Sequence, residues 1–590
     1  TSDASEWDNN VVEAPAEQSG TYTVYVETAE GETATAAYVE EVTVGAFRDP
    51  DETVGERADW GDDGFHAGLA PDQSIVCLQG LSAPTEDLGR LADQFADTFN
   101  MRTVNMSWGY VGGLPLGAAA GTFDRIPATI KDIAEAGILT CAAAGNAATP
   151  VNGNGSPAVA DEAVSVAATG PLDGISGYSS GGIGAVDEDD GGAYMKPDLT
   201  AAGGTLTDLA NAALAGDADT PEDEQPAIRD YTGKAGTSMA SPYATGVSGL
   251  VAQAMEEDAS DAISLPAPAE AGFGDAMRLK QVLLATATET ALTAAPYHRA
   301  KTPTYDFGGR DPYEGYGRVN PGPAIDAVTR DISPSSTTSE VVGLNVPEDE
   351  RAAAGYLDVE PGTYEVSASF SHFAGGDAGA TKENPHVDLF VYDAENPADN
   401  GEPNVVARAQ GLSGSPSASF TTDSGGVYYV VAKLVEVPGV VNGDDVQVHF
   451  DLSTSTLQGF VAAGARSDDG DAFTGGQTNK VDISVEASDA VEVRDIVPYE
   501  WDVLEEYSED VNYVERDPFD GKKYVYFNKD AATEAVDASY FAEAPDAADL
   551  SNAYTFGPVQ VSPDGGETWV QLSGTSDTNV VVGTDTDTDL

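Results

Sequence analysis

A serine, an asparagine and the glycines beside them are the residues of this chain best placed to do chemistry. The run Gly236-Thr237-Ser238-Met239-Ala240-Ser241-Pro242 leads into SPYATGVSGLVAQAM, a long apolar stretch with helical spacing. Gly236 permits a tight turn without a Cβ clash. Ser238 then stands at the mouth of a helix, where the first N–H groups have no intrahelical partner and the dipole favours negative charge. A serine there can be a mere cap. It can also attack a carbonyl, if a base takes its proton and donors receive the developing oxyanion. Asn146, in Ala143-Ala144-Gly145-Asn146, can supply one donor through Nδ2 and the Ser238 backbone N–H the other. Taken alone, an asparagine beside a glycine is also an ordinary turn residue.

The surrounding segments separate these readings. GTSMASP resembles the serine motif of the subtilase family, and AAGN resembles its oxyanion segment. Asn105-Met106-Ser107-Trp108-Gly109 resembles the strand whose edge binds substrate backbone and lines the specificity pocket. Lys196-Pro197-Asp198-Leu199-Thr200-Ala201-Ala202-Gly203 resembles the family's K-P-D-[LV]-x-A-P-G run, departing at Ala202, where proline is usual. GLAPDQSIV and YGRVNPGPAIDAV are similar to its G-V-A-P strand start and its closing segment, so the resemblance covers roughly residues 66–329. It implies Ser238 as nucleophile and Asn146 as oxyanion donor. It also implies a substrate slot walled by Ser107, Trp108 and Gly109 on one side and Ala144 and Gly145 on the other. Trp108 is ambiguous within that slot, because its ring could point into the core.

The resemblance also implies an aspartate and a histidine, in the order Asp, His, Ser. No H-G-T-H occurs here, and no D-S-G or D-T-G stands at a plausible distance before the serine. Of the five histidines, His66, His298, His372, His386 and His449, only His66 precedes Ser238. It sits in FHAGLAP, against the strand start, where no helix fits, so it is a weak candidate for the base. Glu30–Ala36 and Val26–Thr28 offer degenerate matches to the histidine helix and the aspartate strand, but they compete for one stretch. A carboxylate also ionises near pH 4 and cannot replace imidazole at neutral pH. We expect the aspartate and histidine to lie before Thr1, so that residues 1–590 alone turn over peptides poorly. The alternative is a catalytically dead relative that binds peptides or serves a surface-structural role.

The elements that must position these residues are legible between Ser74 and Thr329. Apolar runs (SIVCLQGL, TVNMSW, ILTCAAA, AVSVAAT) alternate with amphipathic helical stretches (EDLGRLADQFADTF, IPATIKDIAEAG). That alternation predicts an α/β fold, a parallel sheet with helices on both faces, like that of subtilisin. After Ser333 the pattern becomes short alternating strands broken by Gly, Asp, Asn and Pro, which predicts all-β, sandwich-like domains. We expect an acidic insertion or remnant of the protease domain at 1–60 and the subtilase domain at 61–332. A β-sandwich module like those trailing many secreted proteases should follow at 333–455, and an acidic β-rich domain at 456–590.

The chain has 590 residues, 41% of them apolar, with 100 acidic against 27 basic residues and a net charge of −73. Such a field repels nucleic acid and anionic membranes, leaving peptides or proteins as partners. Spread along the whole chain, it reads as adaptation to concentrated salt. No window is apolar enough to span a membrane, and an extracellular or cell-surface location is expected. Cys77 and Cys141 sit in apolar runs and read as buried free thiols. Acyl transfer needs no cofactor, and no metal site is identified. Structural calcium remains open, although no loop has the D-x-[DN]-x-[DN]-G spacing.

Overall fold

The computed structural model describes residues 69–70, 73–75, 96, 98–109, 126–147, 154–170, 173–186, 193–205, 210–214, 231–257, 259–291, 303–332, 337–344, 350–374, 385–411, 415–436, 446–457, 460–518, 521–546 and 552–583. The chain divides into two compact units, residues 1–76 with 211–234, and residues 77–210 with 235–590. Of the first, the described part is small and includes Gln73–Ile75, without regular structure; the pairing strands Ala210–Leu214 and Tyr231–Lys234 also fall largely within it. Residues 76–81 of the run SIVCLQGL lie outside the described residues.

The second unit opens on a four-stranded parallel sheet: β1 (Thr103–Met106), β2 (Leu139–Ala143), β3 (Val164–Thr169) and β4 (Leu199–Ala202), in that order. Every residue of β2 and β3 is buried. Because successive side chains face opposite sides of a sheet, both faces are covered, as the unbroken apolar runs require. Helix α1 (Ile126–Glu135) turns Ile126, Ile130 and Ile133 inward at helical spacing. Helix α2 (Thr237–Glu257) does the same with Ala240, Ala244, Val247, Val251 and Met255 and packs on all four strands. α3 (Phe273–Thr286) and α4 (Pro321–Thr329) complete the domain. Cys141 is a buried free thiol, with burial pushing it up to about 11, whereas Cys77 lies outside the described residues.

Beyond it come antiparallel sheets. One has four strands: β5 (Ala352–Val359), β7 (His386–Asp393), β8 (Val405–Gly411) and β10 (Gly426–Glu436), in the order β5-β10-β7-β8. The strands β6 (Gly362–Ala374), β9 (Ser417–Thr422) and β11 (Val446–Leu457) belong to a second sheet. Leu357, Val366, Leu389, Phe420, Val430 and Leu452 share one core between the two. The second sheet does not stop at the sandwich. β9 pairs in parallel with Val570–Leu572, and the sheet runs on into the strands after Leu457, which close a second core around Trp501.

A buried charge cluster ties these layers together. Asp198 is fully buried, and its Oδ2 lies 2.7 Å from Lys196 Nζ and accepts the Ser165 N–H at 2.7 Å. Its Oδ1 lies 3.3 Å from Arg310 and 3.7 Å from Lys280 of α3. Burial works against the carboxylate, but Lys196, Lys280 and Arg310 more than offset it and hold Asp198 at about 2. Arg310 also pairs with Glu402 of the sandwich.

A second group of buried acids lies where the sandwich meets the loop 303–311. The Tyr305 hydroxyl donates to Asp388, and burial pushes Asp388 up to about 7 from an ordinary 3.8. Burial, reinforced by Glu314, Asp306 and Asp388, also raises Glu289 well above the carboxylate range. The folded protein therefore keeps a proton on Asp388 that the unfolded chain releases near pH 4. That contribution to stability is complete below about pH 4 and gone above about pH 7. Calorimetry from about pH 5 to about pH 8 should show stability falling with pH, and Asp388→Asn should flatten the fall. Parallel profiles for the two proteins would refute this account.

Candidate active site

The wall and oxyanion candidates leave the parallel sheet at its carboxyl end. β1 and β2 pair in register from Thr103↔Leu139 to Met106↔Ala142, so Ser107–Gly109 and Ala144–Asn146 run off neighbouring carboxyl ends. That edge is where open parallel sheets bind ligands. β4 delivers Gly203 to the same edge, where its carbonyl accepts the Gly236 N–H at 2.9 Å. A Cβ on Gly203 would lie 2.5 Å from Ala168 Cβ and 2.9 Å from Gly236 O, so only glycine allows this approach. Ala202, where the family pattern has proline, is exposed, so the departure removes no packing from the core.

Gly236 has φ +157° and puts the serine at the start of α2. A small hydrogen-bond circuit then fixes the asparagine. Gly145 N–H donates to Thr237 Oγ1 at 3.1 Å, and Thr237 Oγ1 donates to Asn146 Oδ1 at 3.2 Å. Thr237 N–H donates to the same Oδ1 at 3.0 Å. With Oδ1 occupied by two donors, the Asn146 amide must present Nδ2 as its free face. A Cβ added at Gly236 would stand 3.6 Å from Asn146 Nδ2 and 3.7 Å from Ser238 N, so the two proposed oxyanion donors flank one glycine. Asn146 is exposed and Ser238 half-buried, which leaves both open to a substrate. Ser180 braces the loop from behind: its N–H donates to Gly145 O at 3.0 Å and its Oγ accepts the Ala147 N–H at 2.9 Å.

The Ser107 side chain binds the turn that carries Ser238. Pro242, inside α2, has no N–H to give the Ser238 carbonyl four residues earlier. Ser107 Oγ supplies the missing donor at 2.8 Å. Asn105 Nδ2 donates to Ser107 Oγ at 3.0 Å, and Ser241 Oγ donates to Asn105 Oδ1 at 2.8 Å. The Ser238 turn is thus stitched to the end of β1. The sequence reading missed Asn105, Thr237 and Ser180. The proline was a usable signal for an orphaned carbonyl, but its partner was not.

Trp108 is half-buried and packs against the core that includes Ile126, Ile130 and Ile133. Gly109 is exposed, and a Cβ there would meet Ser156 O at 3.2 Å. Ala144 O accepts the Gly155 N–H at 3.2 Å, so residues 154–156 line the neighbourhood of both wall segments. His66 and His298 lie outside the described residues. His372 and His449 are register partners on β6 and β11, and His386 on β7 lies 3.4 Å from Glu436, so all three belong to the sandwich.

The parallel sheet and the helix from Thr237 thus bring a serine at a helix mouth beside an asparagine amide. Residues 40–317 match the model of the subtilase family, and this segment belongs to that family. Among solved structures the chain is similar to tripeptidyl peptidase 2, at 11% identity over 80% of this chain and TM-score 0.22. It spans only 42% of that longer chain. A non-cellulosomal cohesin from the archaeon Archaeoglobus fulgidus matches 21% of this chain and 93% of its own, at 12% identity and TM-score 0.15. A type II cohesin dyad from the ScaA scaffoldin of Acetivibrio cellulolyticus matches 43% of this chain and 96% of its own, at 10% identity and TM-score 0.17. At such TM-scores no shared fold follows, and the family assignment rests on the sequence match.

Proposed function

We propose that this protein is a serine endopeptidase that cleaves peptide bonds through a Ser238 acyl-enzyme. Ser238 Oγ attacks the scissile carbonyl, and Asn146 Nδ2 and the Ser238 N–H receive the oxyanion. The observation that carries this is the Thr237 circuit, which turns the Asn146 donor outward beside Ser238 N. A base must take the Ser238 proton. The family order places it N-terminal to the serine, and His66 is the first residue to mutate if residues 1–590 turn over peptides.

The substrate slot carries no charge on the segments proposed to wall it, Ser107–Gly109, Ala144–Asn146 and Asn154–Ser156. A charged side chain would lose hydration there without compensation, whereas an apolar one gains about 25 cal/mol per Å² buried. Large apolar or aromatic residues should therefore be preferred before the scissile bond. A cleavage profile on a peptide library checks this, or binding of matched peptide aldehydes to Ser238 where turnover is slow. A dominant preference for Lys or Arg would sink the idea.

We further propose secretion into concentrated salt, in the medium or at the cell surface. The support is the net charge of −73 spread along the chain. As salt falls from molar levels to about 0.01 M, the screening length grows from about 3 Å to about 30 Å, so repulsion acts across whole domains. The melting temperature should fall steadily along that series. A flat or rising curve would remove the proposal.

A further inference from the structure

The turn after β3 touches the candidate site at a second place besides the Asn146 loop. Ser176 N–H donates to Ala168 O at 3.0 Å, and Ser179 Oγ accepts the Ala168 N–H at 3.0 Å. Ser179 N–H closes the turn on Ser176 O at 3.0 Å. Both ends of the turn are therefore fixed on β3, and Tyr178 stands inside it, half-buried. Its hydroxyl donates to Gly203 O at 2.9 Å and also lies within hydrogen-bond reach of Gly204 O. Ser176 Oγ donates to Gly204 O at 2.6 Å.

Gly203 O is the same carbonyl that accepts the Gly236 N–H at 2.9 Å. Gly203 and Gly204 after β4 thus meet Gly236, which stands just before α2. Gly203 has no room for a Cβ, and Gly236 has φ +157°. Glycine has the widest backbone freedom of any residue. Without side chains to pack, these residues depend on hydrogen bonds for their positions. Thr169 O takes the N–H groups of Gly203 and Gly204 at 3.0 and 2.9 Å. Tyr178 holds the carbonyl side, at the atom to which Gly236 is tied. Gly236 in turn lies between the proposed oxyanion donors, since a Cβ there would stand 3.6 Å from Asn146 Nδ2 and 3.7 Å from Ser238 N.

We infer that Tyr178 is a positioning residue for the Ser238 chemistry: its hydroxyl holds Gly203 O, Gly203 O holds Gly236, and Gly236 sets the spacing of the two oxyanion donors. The inference rests on the proposed roles of Ser238 as nucleophile and Asn146 as donor. One turn then braces both donors, Ser180 the loop of Asn146 and Tyr178 the approach to Ser238. Preplaced donors act where charge develops, on the oxyanion, more than on the ground-state carbonyl. Loss of the Tyr178 hydroxyl therefore weakens the tetrahedral adduct and leaves ordinary binding in the slot unchanged.

Tyr178→Phe deletes the hydroxyl and keeps the ring. The full chain and this variant, checked for native near-UV dichroism, are titrated with a peptide aldehyde, which adds to Ser238, and with the matched peptide alcohol, which fills the same slot and cannot add. The expected result is aldehyde binding weaker by about three- to tenfold in the variant, the worth of one hydrogen bond, with alcohol binding unchanged. Ser176→Ala removes a bond to Gly204 O and none to Gly203 O, so it should keep the aldehyde-to-alcohol ratio of the parent. An equal loss of both ligands in Tyr178→Phe, an unchanged ratio there, or the same fall in ratio in Ser176→Ala would overturn the inference alone. A parent that binds the aldehyde no tighter than the alcohol would overturn the Ser238 reading, and this inference with it.

Discussion

Asp198→Asn is expected to destabilise the α/β domain severely while leaving the volume of the side chain nearly unchanged. The substitution removes one buried charge and leaves Lys196, Lys280 and Arg310 facing a neutral amide, with Glu402 beside Arg310 and Glu162 near Lys280 and Lys196 as the remaining carboxylates. Removing one partner of a buried ion pair typically costs about 3–5 kcal/mol, because the partner keeps its desolvation penalty and loses its compensation. In a domain of this size that corresponds to a loss of roughly 10 °C in melting temperature. Added salt should not restore it, since the group is fully buried, whereas salt should restore losses due to surface repulsion. Thermal unfolding of parent and variant at low and high salt separates the two effects. The pH dependence supplies a second check. Asp198 is held at about 2 against an ordinary 3.8, so its contribution is present above about pH 4 and disappears as pH falls toward 2. A variant within 1 °C of the parent at neutral pH would show that the cluster neutralises itself in some other way.

The second large effect concerns the proposed nucleophile Ser238 and its proposed donor Asn146. In subtilisin, a member of this family, losing the serine costs about 10⁶ in kcat, and losing the side-chain oxyanion donor costs about 10²–10³. Ser238→Ala and Asn146→Ala should reproduce that ranking wherever turnover is measurable. The double variant should be no slower than Ser238→Ala, because a donor for an oxyanion that no longer forms has nothing left to stabilise. Peptide-aldehyde adducts should vanish in Ser238→Ala and persist, weakened, in Asn146→Ala. Additive losses, or turnover that survives Ser238→Ala, would place the chemistry elsewhere. Ser238→Ala should alter stability little, whereas Asn146→Ala removes the acceptor of the buried Thr237 N–H and hydroxyl and should cost about 1–3 kcal/mol.

Some of this was determined by sequence alone. Local order fixes the turn at Gly236, the helix from Thr237 and the strands of the parallel sheet, because backbone freedom and apolar periodicity act over a few residues. GTSMASP and AAGN carry their chemistry in residue type and so could be recognised unfolded. The proline at 242 even announced that the Ser238 carbonyl would lack its helical donor. That Ser107 fills the vacancy was decided by tertiary structure, which brings residues 131 positions apart to 2.8 Å. The same holds for Asp198, whose three cations come from positions 196, 280 and 310, and for the parallel pairing of Phe420 with Gln571. A charge or a strand edge does not encode its partner in its neighbours. Burial selects the partner, by making every unpaired charge and every unpaired edge too costly to leave alone.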